Sequence, residues 1–154
     1  MDHDHYSDTY LRDALSGVRT IAVVGASPRP HRPSHGVMRY LQRQGYRAVP
    51  VNPFTAGTMI LGETCYASLA DIPRAVIGPI NMVDIFRRSE AAGAVVDQAI
   101  ALGAEPGVKL VWMQLGVADA VAAARAEANG IKIVMNRCPA IEIPRLGLDR
   151  PASP

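Results

Sequence analysis

"IAVVGASPRPHRPSHGVMRYL" (residues 21–41) begins as a buried strand and ends as a helix. The apolar run "TIAVVGA" (20–26) is rich in β-branched residues, as expected of a strand covered on both faces. It breaks on the small-residue turn Gly25-Ala26-Ser27. A loop follows with Pro28, Pro30 and Pro33, Arg29 and Arg32, and His31, and then a helix from Ser34 to Gln44 stopped by Gly45. A strand that ends on glycine and feeds a helix sets the unpaired amides at the helix N-terminus over the turn, where they stabilise an anion.

The same alternation runs through the chain. "DTYLRDALSG" (8–17) reads as a short amphipathic helix within an N-terminal segment 1–18, with Ser7 or Asp8 as cap and Gly17 as stop. "YRAVPVN" (46–52), "NMVDIF" (81–86), "KLVWMQL" (109–115) and "IKIVM" (131–135, closing at Asn136) read as further strands. "LGETCYASL" (61–69) reads as a short edge strand and turn. "SEAAGAVVDQAIALG" (89–103) is expected to be a capped helix with Ala92, Val95, Val96, Ala99 and Ile100 on its apolar face, and "ADAVAAARAEANG" (118–130) a second helix. "IPRAVIGPI" (72–80) reads as a connection rather than a domain boundary. From Arg137 the chain reads as irregular, with 143–154 as the tail. Alternating helices and continuously apolar strands define an α/β fold: one Rossmann-like, doubly wound, mainly parallel sheet of five to six strands flanked by helices, in one domain over 1–154. In such sheets ligands bind beyond the carboxyl ends of the strands, where strand order reverses.

Composition narrows the function classes. Apolar residues make up 49% of the 154, charged residues 19% and aromatic residues 5%, as in a compact globule. No apolar run reaches the roughly 18 residues that span a bilayer, so no membrane partner is expected. The acidic, polar N-terminus is unlike a secretory signal. Two cysteines, Cys65 and Cys138, make a disulfide framework unexpected and point to a reducing cytoplasm. A net charge of +2 gives no reason to expect nucleic acid. The placement of charge says more: from Ala14 to Gly62 there is no Asp or Glu, while Arg19, Arg29, Arg32, Arg39, Arg43 and Arg47 all fall there. That asymmetry favours a local positive field for an anionic ligand.

An NAD site of the Rossmann type needs G-x-G-x-x-G after the first strand and a carboxylate about 20 residues further on for the ribose. Here the turn has one glycine, and the second strand ends in neutral Asn52. A nucleotide with an extra ribose phosphate suits this better. NADP and coenzyme A (CoA) both meet that description, and spacing does not choose between them.

Six segments in order, "IAVVGASPRPHRPSHGVMRYL", "GYRAVPVNP", "ILGETCYASLADIP", "VDIFRR", "VWMQLGV" and "VMNRCPAIE", cover most of the chain from Thr20 to Glu142. In these the sequence resembles the small stand-alone CoA-binding proteins, whose domain is related to the CoA-binding domain of the succinyl-CoA synthetase α subunit. The resemblance implies CoA as the ligand, held at Gly25, Ala26, Ser27, Asn52, Pro53, Phe86 and Arg87, with Arg32 and Arg88 as phosphate partners. It also implies CoA or an acyl-CoA as partner, with a homodimer or a partner enzyme subunit as the expected protein contact. Two features depart from the family pattern: Phe54 stands where a basic residue often follows the "VNP" turn, and "RAVIGPINMVDIF" (74–86) is a few residues longer.

The residues suggest no catalytic set. His3 and His5 lie in a terminal segment, and His31 and His35 read as surface or ligand-adjacent. Asp84, inside an apolar strand, is expected to be satisfied by backbone or by an arginine. Cys138, just past the last strand, has two readings: thiol exchange with CoA, or packing as a small hydrophobe. The functional expectation is a CoA-binding protein without catalytic machinery. The alternatives are an NADP-linked oxidoreductase and a protein-interaction domain that has lost its ligand.

Overall fold

The computed structural model describes residues 1–103 and 107–150. Helix α1 (Asp8–Leu15) precedes strand β1 (Thr20–Val24), helix α2 (Pro33–Arg43) and strand β2 (Arg47–Val51). A hairpin of β3 (Met59–Ile60) and β4 (Glu63–Thr64), a 3-10 turn (Leu69–Asp71) and the one-turn helix α3 (Arg74–Ile77) lead to β5 (Met82–Ile85). Then come α4 (Ser89–Leu102), β6 (Leu110–Met113), α5 (Ala120–Ala128), β7 (Lys132–Val134) and α6 (Pro139–Arg145).

Five strands form one parallel sheet in the order β2-β1-β5-β6-β7. Counted among themselves this is 2-1-3-4-5, the second common doubly wound order, whose switch point lies between β1 and β5. The α/β, Rossmann-like fold read from the sequence is the fold observed. Strand alternation sorts the core into two layers. Val24, Val83, Ile85, Val111 and Met113 pack with Ala92, Val95 and Val96 of α4 and Ala122, Ala123 and Ala126 of α5. Ile21, Val23, Met82, Leu110 and Trp112 pack with Leu11 and Leu15 of α1, Met38 and Leu41 of α2, and Ile143 of α6.

Several expectations need correction. The segment 61–69 adds no strand to the main sheet; it supplies β4 of the separate hairpin and a single parallel bridge from Tyr66 to Val51. The chain after Arg137 is not irregular: α6 runs into the segment expected to be tail, through Ile143, Pro144 and Arg145, because Pro139 sits at its first turn and Ile143 is buried. The last four residues of that tail lie outside the described residues. Helix α4 has no side-chain cap; Ser89 Oγ instead accepts the Ala118 N–H at 3.1 Å, tying the start of α4 to the loop before α5. Helix α1 begins as read, with Ser7 Oγ accepting the Tyr10 N–H at 3.0 Å.

Candidate functional site

Beyond the carboxyl ends of β1, β2 and β5 opens a cleft of about 600 Å³. Its floor starts at Gly25, which takes φ +91° and donates its N–H to Val51 O at 2.8 Å, so the chain leaves β1 while still paired to β2. Ala26 is buried, and its carbonyl accepts Asn52 Nδ2 at 2.9 Å. Asn52 Oδ1 in turn accepts the Phe54 N–H at 3.0 Å. The Asn52 side chain therefore staples the loop after β2 to the turn after β1.

The wall beside α2 is electropositive. Ser27 donates its N–H to Ser34 Oγ at 3.1 Å, and Ser27 Oγ accepts the Arg29 N–H at 3.1 Å, which folds the proline-rich loop onto the start of the helix. Arg32 is the N-cap residue, in extended conformation with no side-chain cap; Pro33 follows, and the first turn carries no acid. This end of α2 keeps the positive end of its dipole uncompensated. Arg29 and Arg32 both line the cleft, and among the described residues neither is paired with a carboxylate. Across from them stand Phe54, 87% exposed, and Thr55, with Phe86 closing the side next to β5.

Of the residues singled out in the sequence, Gly25, Ser27, Arg32, Asn52 and Phe86 line this cleft together. Ala26 lies just beneath it as a core residue. Pro53 is exposed in the turn outside the lining. Arg87 packs beside Gly25, its Cδ 3.2 Å from where a Cβ on that glycine would stand. Arg88 serves as the exposed N-cap residue of α4 and does not line the cleft. Arg29, Ser34, Phe54 and Thr55 were not assigned to the site from sequence. Pro33 at the first helical position signalled Ser34, since a serine after it sits in the open first turn.

The other candidates for chemistry are buried. Cys138 is 6% exposed and packs in the core at the start of α6, which favours its packing reading; Cys65 is buried as well. Of the two histidines read as surface or ligand-adjacent, His31 is exposed, whereas His35 is buried with no partner for its Nδ1, so a surface placement does not hold for His35. Asp84 is fully buried with neither carboxylate oxygen hydrogen-bonded, so neither backbone nor arginine satisfies it. Desolvation alone raises its pKa well above the ordinary carboxyl value. Among the described residues no group of three or more His, Cys, Asp or Glu could hold a metal ion, and no helix is long and apolar enough to cross a membrane.

A five-stranded parallel sheet with a cleft at its switch point defines a Rossmann-like ligand-binding fold. The family model described as a CoA binding domain matches residues 19–144, and the chain belongs to that family. It is 33% identical over 132 residues to YneT of Bacillus subtilis (strain 168), covering 86% of this chain and 90% of that protein. Two solved structures are similar throughout. Cell-free ID.343 from Thermus thermophilus has 38% identity and a TM-score of 0.81, covering 92% of this chain and 99% of that one. A hypothetical protein from Pyrococcus horikoshii OT3 has 37% identity and a TM-score of 0.81, covering 95% and 96%. The CoA binding domain that the sequence resembles is thus the family to which it belongs.

The cleft fits such a ligand on its own terms. Its volume lies within the usual range for small-molecule sites, roughly 300–1,000 Å³. It offers an uncapped helix N-terminus, two guanidiniums without carboxylate partners, no lining Asp or Glu, and one exposed aromatic ring. That set suits a ligand with several phosphates and a base.

Proposed function

We propose that the protein binds CoA or an acyl-CoA through the nucleotide and pyrophosphate, and carries out no chemistry of its own on that ligand. The observation that carries this reading is the acid-free wall formed by Arg29, Arg32 and the uncapped start of α2. In this reading the Gly25-Ala26-Ser27 turn and α2 receive the pyrophosphate. Arg32 and Arg29 meet phosphate oxygens bidentately, as arginine does best. Asn52 shapes the pocket edge, and Phe86 flanks the path of the pantetheine arm. Pro53, Arg87 and Arg88 support the cleft from outside its lining. Two buried, unpaired cysteines agree with a reducing cytoplasm.

Titration calorimetry with CoA, NADP and NAD tests the reading. CoA should bind with a Kd of roughly micromolar order, and NAD at least about tenfold more weakly, because the cleft lacks the carboxylate that grips an unphosphorylated ribose. NAD binding tighter than CoA would overturn it. NADP binding tighter than CoA would move the assignment to the oxidoreductase alternative.

A further inference from the structure

Among the described residues, three buried polar side chains have atoms without partners: Asp84 Oδ1 and Oδ2, His35 Nδ1 and Gln114 Oε1. Native folds leave few such groups, and each calls for an explanation. These three share one layer of the molecule. Asp84 pairs in register with Val23 on one side and Trp112 on the other, and both of those pack in the layer covered by α2 and α6. By strand alternation Asp84 faces that layer, and so does Gln114, two residues beyond Trp112. His35 lies in the first turn of α2, whose Val37, Met38 and Leu41 cover the same layer.

The group also adjoins the cleft. The next residue outward from Asp84 on its face is Phe86, which lines the cleft and packs against this layer. Beside Phe86, on β1, stands Gly25 with no side chain, and on the other flank comes Gln114. Ser34, immediately before His35, also lines the cleft. Asp84 therefore lies one residue inward of Phe86 on the same face, Gln114 stands level with Phe86 on the neighbouring strand end, and His35 follows the cleft-lining Ser34.

We propose that Asp84, His35 and Gln114 form an inner polar site continuous with the cleft, which receives the distal, hydrogen-bonding part of the ligand arm when Phe86 turns aside. The ligand chemistry is neutral and amide- or thiol-bearing. Gln114 Oε1 and His35 Nδ1 can accept N–H or S–H, while a protonated Asp84 carboxyl has one O–H to give and one oxygen to accept. The three side chains include no guanidinium or ammonium group to balance a phosphate, so the charged end of the ligand stays at Arg29 and Arg32. This inference rests on the CoA reading above and extends it to the pantetheine end.

The experiment compares CoA with adenosine 3′,5′-bisphosphate, which has the phosphorylated nucleoside and no arm, by calorimetry on the full chain. The wild type should prefer CoA by at least about tenfold, the size of one or two well-made hydrogen bonds. Asp84→Leu and Gln114→Leu should each bring that preference to within about threefold while leaving bisphosphate affinity unchanged. Asp84→Asn, which keeps hydrogen-bonding atoms in place, should retain most of it. Ligand-free Asp84→Leu should melt no lower than wild type, since it removes an unpaired buried carboxyl. An unchanged preference in both leucine variants, or an equal loss for both ligands, would overturn the inner site. So would equal binding of the two ligands by wild type, although the nucleotide reading would then stand. Failure of wild type to bind either ligand would overturn the CoA reading itself and the inner site with it.

Discussion

A Cβ on Gly25 would stand 2.7 Å from the carbonyl oxygen of Phe86, and the residue already takes φ +91°. The sequence suggested glycine here for close approach of a phosphate; the structure adds a demand from within the chain, the neighbouring backbone after β5. Gly25→Ala should therefore destabilise the fold by about 1–3 kcal/mol even without ligand, measured by urea denaturation, and an unchanged midpoint would refute the steric account. Arg32 is the cleaner probe of the cleft because it is exposed and unpaired. Arg32→Gln should weaken CoA by about 1.5–3 kcal/mol with the melting temperature unmoved, whereas Arg88→Gln, away from the lining, should leave affinity nearly unchanged. Asp84 makes a prediction about pH. Unfolded, its carboxyl titrates near its ordinary 3.8; folded, burial holds it well above. The fold thus keeps a proton that the unfolded chain loses, so this residue's contribution is complete below 3.8 and is lost as pH rises through the folded value. The stability of Asp84→Asn relative to wild type should improve between about pH 4 and pH 8; a difference independent of pH would mean that Asp84 is ionised and paired. Much of the cleft was legible because turn glycine, helix start and arginines fall in one stretch. Arg87 and Arg88 were not separable in sequence, because adjacent arginines after β5 look alike there; in the fold Arg88 is the exposed N-cap residue of α4, outside the cleft lining.

The sheet's edges are covered in two ways, by tyrosine side chains at β7 and by the backbone of the segment after the hairpin at β2. At β7 the Tyr10 hydroxyl donates to Ile133 O at 2.8 Å and accepts the Ile133 N–H at 3.3 Å, while Tyr6 Oη accepts the Met135 N–H at 2.9 Å. The two rings stack at 5.5 Å, with the Arg137 guanidinium 5.0 Å from the Tyr6 ring. Burial pushes the Tyr6 phenol up to about 12, so it stays neutral and able to serve the edge. At β2, Pro50 lies in the outer strand and the Tyr66 N–H donates to its carbonyl at 3.1 Å. Exposed edges invite pairing with other chains. A Tyr6→Phe, Tyr10→Phe double variant should lose about 1–3 kcal/mol and show concentration-dependent self-association by light scattering; a monodisperse variant of unchanged stability would show the hydroxyls to be incidental. Strands and long helices were legible because parallel strands are apolar without interruption and helices keep their period. The hairpin was not: its turn places Leu61 at φ +49° and Gly62 at φ +82°, a primed turn without the usual asparagine. Helix α6 was hidden by Pro139 and Pro144, although the first is harmless at a helix start and Arg145 ties the end to Glu142 and Asp8.

Charge is segregated along the chain in a way the topology turns into a local field. The stretch from Ala14 to Gly62 without acids contributes β1, α2 and β2, and with them most of the cleft lining, which includes no Asp or Glu. The formal charge of +2 hides this, since it sums over both regions. An exposed positive cleft should bind an anion in a salt-dependent way, because screening shortens the reach of exposed charges to about 10 Å at 0.1 M and about 3 Å at 1 M. CoA at about 100 times its Kd should stabilise the fold by about 2.7 kcal/mol and raise the melting temperature by roughly 5–11 °C. The rise should shrink as sodium chloride is increased at fixed CoA concentration. If Arg29 and Arg32 supply the field, Arg29→Gln and Arg32→Gln should each flatten that salt dependence, and the double variant should nearly abolish it. A thermal shift equally large at low and high salt, or a slope unchanged in the double variant, would show that the ligand is held by contacts other than these two guanidiniums.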